Sequence, residues 1–140
     1  MLKIILEASE NFCIHQIRVP HKIYRESAKM RTLIAYIDIE TLASKKYRVY
    51  IASSLGFAQR VATALLEEQE SDEETLIDMM LETTNLIVGS AKVLAQEDME
   101  YAYNMLTPHF EKVGDFDIEY DEIRVLKIEN DEMIVAIKEL

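Results

Sequence analysis

The sequence predicts an α+β fold, an antiparallel β-sheet with long helices packed on one face. Three stretches carry that reading. From Ser71 to Gln96, SDEETLIDMMLETTNLIVGSAKVLAQ, polar side chains recur on one line at about 100° per residue and apolar ones fill the rest, the pattern of one long helix. Leu33, Ala35, Ile37 and Ile39 alternate with Ile34, Tyr36 and Asp38, the period of a strand, and Val49 and Ile51 follow the same rule. The chain closes on a hairpin pattern, Ile123–Glu129 and Glu132–Glu139, around a turn at Asn130-Asp131, residue types that tolerate positive φ.

Composition bounds the function. With 140 residues the chain is read as one domain, 1–140, able to bury about two-thirds of its unfolded surface. It is 49% apolar and 29% charged, as ordinary globular proteins are. Fifteen basic against 26 acidic residues give a net charge of −11, which disfavours nucleic acid and anionic membranes as partners. No apolar run reaches the length of a membrane span, and the opening MLKIIL is too short for a signal peptide. The single Cys13 offers no disulfide, in keeping with a cytoplasmic protein. His15, His21 and His109 lack metal-ligand spacing, so no metal site is expected.

In chain order, residues 2–18 read as a first helix with Leu2, Ile5, Leu6, Ser9, Phe12, Cys13 and Gln16 on or near one face, ended by Pro20. Residues 22–53 form strands, with Ser44-Lys45-Lys46 as the polar link between the two best-patterned ones. Both faces of the Leu33–Ile39 strand are apolar. Helices are therefore expected on one face of the sheet and a second subunit on the other. Gly56 punctuates, and Phe57–Glu68 reads as a helix with Phe57, Val61, Ala64 and Leu65 inward. The acidic run Glu67–Glu74 is read as a solvated joint whose last acids start the next helix. After that helix and a Glu97-Asp98 link, a strand runs from Tyr101 to Val113, interrupted by Pro108, which places it at an edge or a bulge.

The long helix is the stretch with functional content. Ser71 and Glu74 are expected to form a capping box at its start. Ser71, Glu74, Asp78, Glu82, Asn85, Lys92 and Gln96 fall on one narrow strip with Gly89, and the remaining circumference is apolar. An ordinary wet face would be wider and would mix Lys and Glu at i,i+4. Gly89 in a helix interior costs about 1 kcal/mol against alanine, a cost accounted for if a partner backbone passes close over the strip. Glu82 and Asn85 are expected at the surface, with Leu81 and Leu86 flanking inward.

Asp78-x3-Glu82-x2-Asn85, followed by Pro108, resembles the signature of the CheC/CheX/FliY family of response-regulator phosphatases. LETTNLIVGSAK stands where those proteins carry an E-x-x-N helix running into I-x-G-x-A, and NMLTPHFEKVG resembles their proline-containing strand. The likeness is tight over about residues 70–114. In two-site members the first helix carries a second E-x-x-N copy. Here Glu7 is followed three residues later by Glu10, and Glu10 by Cys13, so the register fails, Cys13 falls to the core, and the chain resembles the one-site CheX type.

The resemblance implies a phosphatase acting on a phosphorylated CheY-type response regulator, and a CheX-like fold. Asn85 would orient the attacking water and Glu82 would pair with the regulator's lysine. Asp78, Gly89 and Lys92 would contact the partner, and Pro108 would shape the strand beneath the helix. Mg²⁺ would be supplied by the regulator, with no cofactor bound by this chain. Relatives of the one-site type pair through their sheets, so a homodimer is expected. The sequence contains no nucleophile elbow, no phosphate-cradling glycine loop and no Cys/His pair, so a self-contained hydrolase is hard to build from it. Two other readings remain open: a non-catalytic regulator-docking or flagellar-switch module, and a strip that touches only its own subunit.

Overall fold

A computed structural model describes residues 1–97 and 101–140; Asp98, assigned above to the link after the long helix, lies outside the described residues. The elements are α1 (Leu2–Phe12), β1 (Lys22–Tyr24), β2 (Thr32–Thr41), β3 (Lys46–Ser54), α2 (Leu55–Leu66), α3 (Glu73–Ala95), β4 (Tyr103–Met105), β5 (His109–Gly114), β6 (Glu122–Ile128) and β7 (Asp131–Glu139). The seven strands form one antiparallel sheet in the order β1-β6-β7-β3-β2, and β4 and β5 both pair with the outer edge of β2. The fold is α+β, as the sequence predicts.

The period-two pattern of β2 maps onto the two faces of this sheet. Leu33, Ile37 and Ile39 join Val49, Ile51, Leu126, Val135 and Ile137 in the core beneath the helices. Ile34, Tyr50, Ala52, Val125, Ile134 and Ala136 form a second apolar layer on the opposite face. That layer was expected to need a second subunit. Instead the chain covers it: Phe116 and Ile118, from the segment 115–121, pack on it, and Ile34 is fully buried. An aromatic run crosses this face, with Tyr36 stacked on His109 at 5.3 Å and Phe116 edge-on to Tyr50 at 6.2 Å.

Several boundaries shift from the sequence reading. The first helix does not run regularly to residue 18. It widens to a π-turn over Cys13–Ile17 and stops at Arg18, which adopts φ 62°, two residues before Pro20. The wider turn swings Gln16 to solvent, contrary to its expected place on the buried face. Leu55 opens α2, and Ser54 caps it by accepting from the Phe57 amide at 3.2 Å, so Gly56 sits inside the first turn rather than ahead of it. Ala58 and Ala62 face inward in α2 and Ala64 is exposed.

The expected strand from Tyr101 to Val113 is two strands, β4 and β5, with Pro108 in the link between them. Pro108 therefore lies outside both strands instead of at an edge or bulge within one, and no ladder hydrogen bond is asked of its nitrogen. The final hairpin turns one residue earlier than expected. Ile128 pairs with Asp131, and Glu129 takes the positive φ of 54°. Asp131 is held elsewhere: its carboxylate accepts from Ser54 Oγ at 3.2 Å and from Arg60 Nε at 2.9 Å, which ties the hairpin to the start of α2.

Candidate functional site

The predicted strip lies on α3, a helix of 23 residues packed against α1, α2 and β2. Asp72 starts it, one of its carboxylate oxygens accepting from the Thr75 amide at 2.8 Å. Hydrogen bonding by the Thr75 side chain, with its amide second, holds the Asp72 carboxyl below its ordinary pKa. The capping box expected of Ser71 and Glu74 does not form. The Ser71 hydroxyl donates to Glu68 at 2.7 Å and its amide to Gln59 Oε1 at 2.8 Å, so Ser71 serves the preceding turn.

Along the middle of α3 the side chains alternate between solvent and core in a way that sets out the motif. Asp78, Glu82 and Asn85 are exposed, and Thr83 and Thr84, between the last two, are fully buried. The two threonine hydroxyls donate back to the carbonyls of Met79 and Met80 at 2.6 and 2.7 Å, which satisfies them inside the core. On the strand side Tyr103 Oη donates to the Val88 carbonyl at 2.7 Å, and burial pushes the Tyr103 hydroxyl pKa up. The helix is thus fixed from below on either side of Asn85. Residues three apart on a helix face the same way with Cβ atoms about 5–6 Å apart, so Glu82 and Asn85 reach outward together. Among the described residues neither has an ion-pair or hydrogen-bond partner from its own side chain.

The strip is not the narrow polar line that the sequence suggests. Leu86 was expected to flank it inward, yet Leu86 and Val93 are exposed, at 37% and 65%. Both lie on the Glu82 face, where positions 82, 86, 89 and 93 recur at helical spacing. The wheel angle of Val93 held this signal, but counting it among apolar residues placed it inside. Leu81, by contrast, is half-buried as expected. Lys92 is half-buried at the margin of the strip. Gly89 is half-buried, and the nearest atom to a Cβ placed there is Met105 Sδ at 4.0 Å, an ordinary contact, so the chain's own packing does not require a glycine. The structure places Pro108 off the helix, in the β4–β5 link.

On α1 the arrangement offers no second copy of the motif. Glu10 is engaged by His21 Nε2 at 3.3 Å, and Cys13 is buried. Burial, assisted by the Glu10 charge, pushes the Cys13 thiol up to about 12, which leaves it a neutral core residue, as its sequence context indicates. Among the described residues no three His, Cys, Asp or Glu side chains converge as a metal site, and no helix is long and apolar enough to cross a membrane.

This architecture is that of bacterial chemotaxis proteins of the CheX and CheC-like kind. The chain is similar to the chemotaxis protein CheX from Vibrio vulnificus, with TM-score 0.80 and 17% identity, over 97% of this chain and 95% of that one. A CheC-like chemotactic protein from Shewanella oneidensis matches with TM-score 0.74 and 18% identity, over 97% and 96% of the two chains. CheX from Borrelia burgdorferi, solved as a complex of CheX, CheY, BeF3 and Mg²⁺, matches with TM-score 0.68 and 16% identity over 97% and 96%. At these identities the likeness shows the fold. The family model for the chemotaxis phosphatase CheX matches residues 37–139, and the chain belongs to that family. No curated protein sequence matches it.

Proposed function

We propose that this chain accelerates hydrolysis of the aspartyl phosphate on a CheY-type response regulator, with α3 laid across the regulator's phosphorylated pocket. The observation that carries the reading is the joint exposure of Glu82 and Asn85 on a helix whose intervening residues, Thr83 and Thr84, are locked in the core. The Borrelia relative solved with CheY, BeF3 and Mg²⁺ supports the choice of partner.

In this mechanism Glu82 pairs with the regulator's lysine and fixes the register of docking. Asn85 enters the pocket and holds a water in line with the phosphorus. A carboxamide suits the task because it both donates and accepts without bringing negative charge toward an anion. The water oxygen bonds to phosphorus as the bond from phosphorus to the aspartyl oxygen breaks, and the products are the free carboxylate and inorganic phosphate. Phosphoryl transfer of this kind depends on positioning and electrostatics more than on covalent help. Mg²⁺, held by the regulator, neutralises charge on the phosphoryl oxygens. Asp78, one turn before Glu82, and Lys92, two turns beyond Asn85, contact the regulator's rim, and Pro108 shapes the edge under the helix.

The test is decay of a phosphorylated regulator with and without this protein. Asn85→Ala is expected to slow assisted hydrolysis by about 100-fold or more while leaving regulator binding nearly intact. Glu82→Ala is expected to weaken binding as well, because a charge-assisted contact is worth about 1.5–3 kcal/mol when sheltered from solvent. Binding without acceleration by the unaltered protein would assign it to the docking-module reading instead.

A further inference from the structure

The phosphatase motif contacts groups that every phosphorylated receiver presents, namely the phosphoryl group, its lysine and its metal. Glu82 and Asn85 can therefore drive the chemistry without distinguishing one regulator from another. Resting on the phosphatase reading, a second feature of the same helix supplies the distinction. Leu86 and Val93 are the two large apolar side chains that stand exposed on α3, seven residues apart, with Gly89 between them as a notch. Beside Leu86 a cavity of about 180 Å³ opens between α1 and α3, lined by Asn11, Phe12, His15, Gln16 and Ser90, with no carboxylate in its wall.

The geometry ties this patch to the docked partner. A helix rises about 1.5 Å per residue, so Val93 lies about 12 Å beyond Asn85 on the same side. A globular receiver that takes Asn85 into its pocket is wider than that and lies over Leu86 and Val93 as well. The electrostatics point the same way. This chain carries a net charge of −11, so long-range attraction does not draw a phosphorylated pocket to it. Affinity in such interfaces concentrates in a few desolvated apolar anchors near the centre.

We propose that Leu86 and Val93, flanking the Gly89 notch, select the response regulator by seating an apolar patch beside its phosphate pocket, one side chain of which enters the cavity between α1 and α3. These residues act on binding and leave the hydrolytic step to Asn85.

The experiment measures assisted dephosphorylation against regulator concentration for the unaltered protein, Val93→Asp and Leu86→Ser. Each variant is expected to raise KM about tenfold, equivalent to about 1.4 kcal/mol of binding, while kcat stays within about twofold. Val93 is 65% exposed, so Val93→Asp keeps the fold and carries the test even where Leu86→Ser loosens the α1–α3 contact. If the unaltered protein accelerates no regulator's dephosphorylation, the phosphatase reading falls and the partner assignment with it. If it does accelerate hydrolysis and Val93→Asp shows any pattern other than raised KM at preserved kcat, the selection role is overturned and the phosphatase reading stands.

Discussion

Replacing Gly89 with alanine separates two reasons a helix can keep a glycine. If the chain's own packing excludes a side chain, the substitution destabilises; if a partner's approach excludes it, the free protein gains stability and the complex loses it. The structure decides which to expect. The atom nearest to an added Cβ is Met105 Sδ, at 4.0 Å, so the methyl group meets no clash. Alanine in a helix interior is favoured over glycine by about 1 kcal/mol. For a domain of this size that corresponds to a rise in melting temperature of about 4 °C. If the regulator seats on the helix as proposed, the same methyl fills the notch between Leu86 and Val93, and overpacking an interface of native density costs about 1–3 kcal/mol. KM for the phosphorylated regulator is therefore expected to rise by about tenfold or more. Thermal denaturation of the free protein, paired with dephosphorylation kinetics, measures both terms. A lowered melting temperature would show that α3 needs the glycine for its own packing. A raised melting temperature with unchanged KM would show that no partner approaches the helix at this position.

Gly56→Ala should behave in the opposite way, because a Cβ there would stand 2.0 Å from Asp131 Oδ1 and turn that carboxylate off Ser54 and Arg60; a loss of about 1–2 kcal/mol in urea unfolding is expected, and a neutral result would refute the part these hydrogen bonds play in tying the hairpin to α2. Burial raises the Cys13 thiol from 9.0 to about 12, so below pH 9 its neutral form costs the fold nothing, and between those values the unfolded chain ionises while the folded one does not. Stability should therefore fall as pH rises through that window, and Cys13→Ala should flatten the slope; identical pH profiles for both proteins would contradict the shift. Assembly is tested by light scattering. Among the described residues β1 pairs only with β6, and it exposes Ile23 at 42% and Tyr24 at 44%, so we expect a homodimer joined through a sheet edge, and a mass that stays near 16.2 kDa across the micromolar range would rule it out.

Much of this protein could be read from local pattern. Leu33, Ile37 and Ile39 against Ile34 and Tyr36 declare a strand with two apolar faces, because side chains alternate strictly along an extended backbone. The spacing of Asp78, Glu82 and Asn85 places them on one side of a helix wherever that helix packs, because residues three and four apart share a face. Cys13 was legible as core from its apolar surroundings and the failed motif register around it.

The remainder depended on residues far apart in sequence. Ser71 and Asp72 are both competent caps, and the choice falls to Asp72 because Gln59 and Glu68 engage Ser71. Gly56 reads as punctuation until the fold brings Asp131 against it. The second face of the sheet looked open until the segment 115–121 folded back over it. Leu86 and Val93 passed for core because composition counts apolar residues without knowing where the neighbouring elements lie. Periodicity tells which side chains share a face. Which face is covered is decided by how α1 and the sheet pack on α3, and that information is spread over the whole chain.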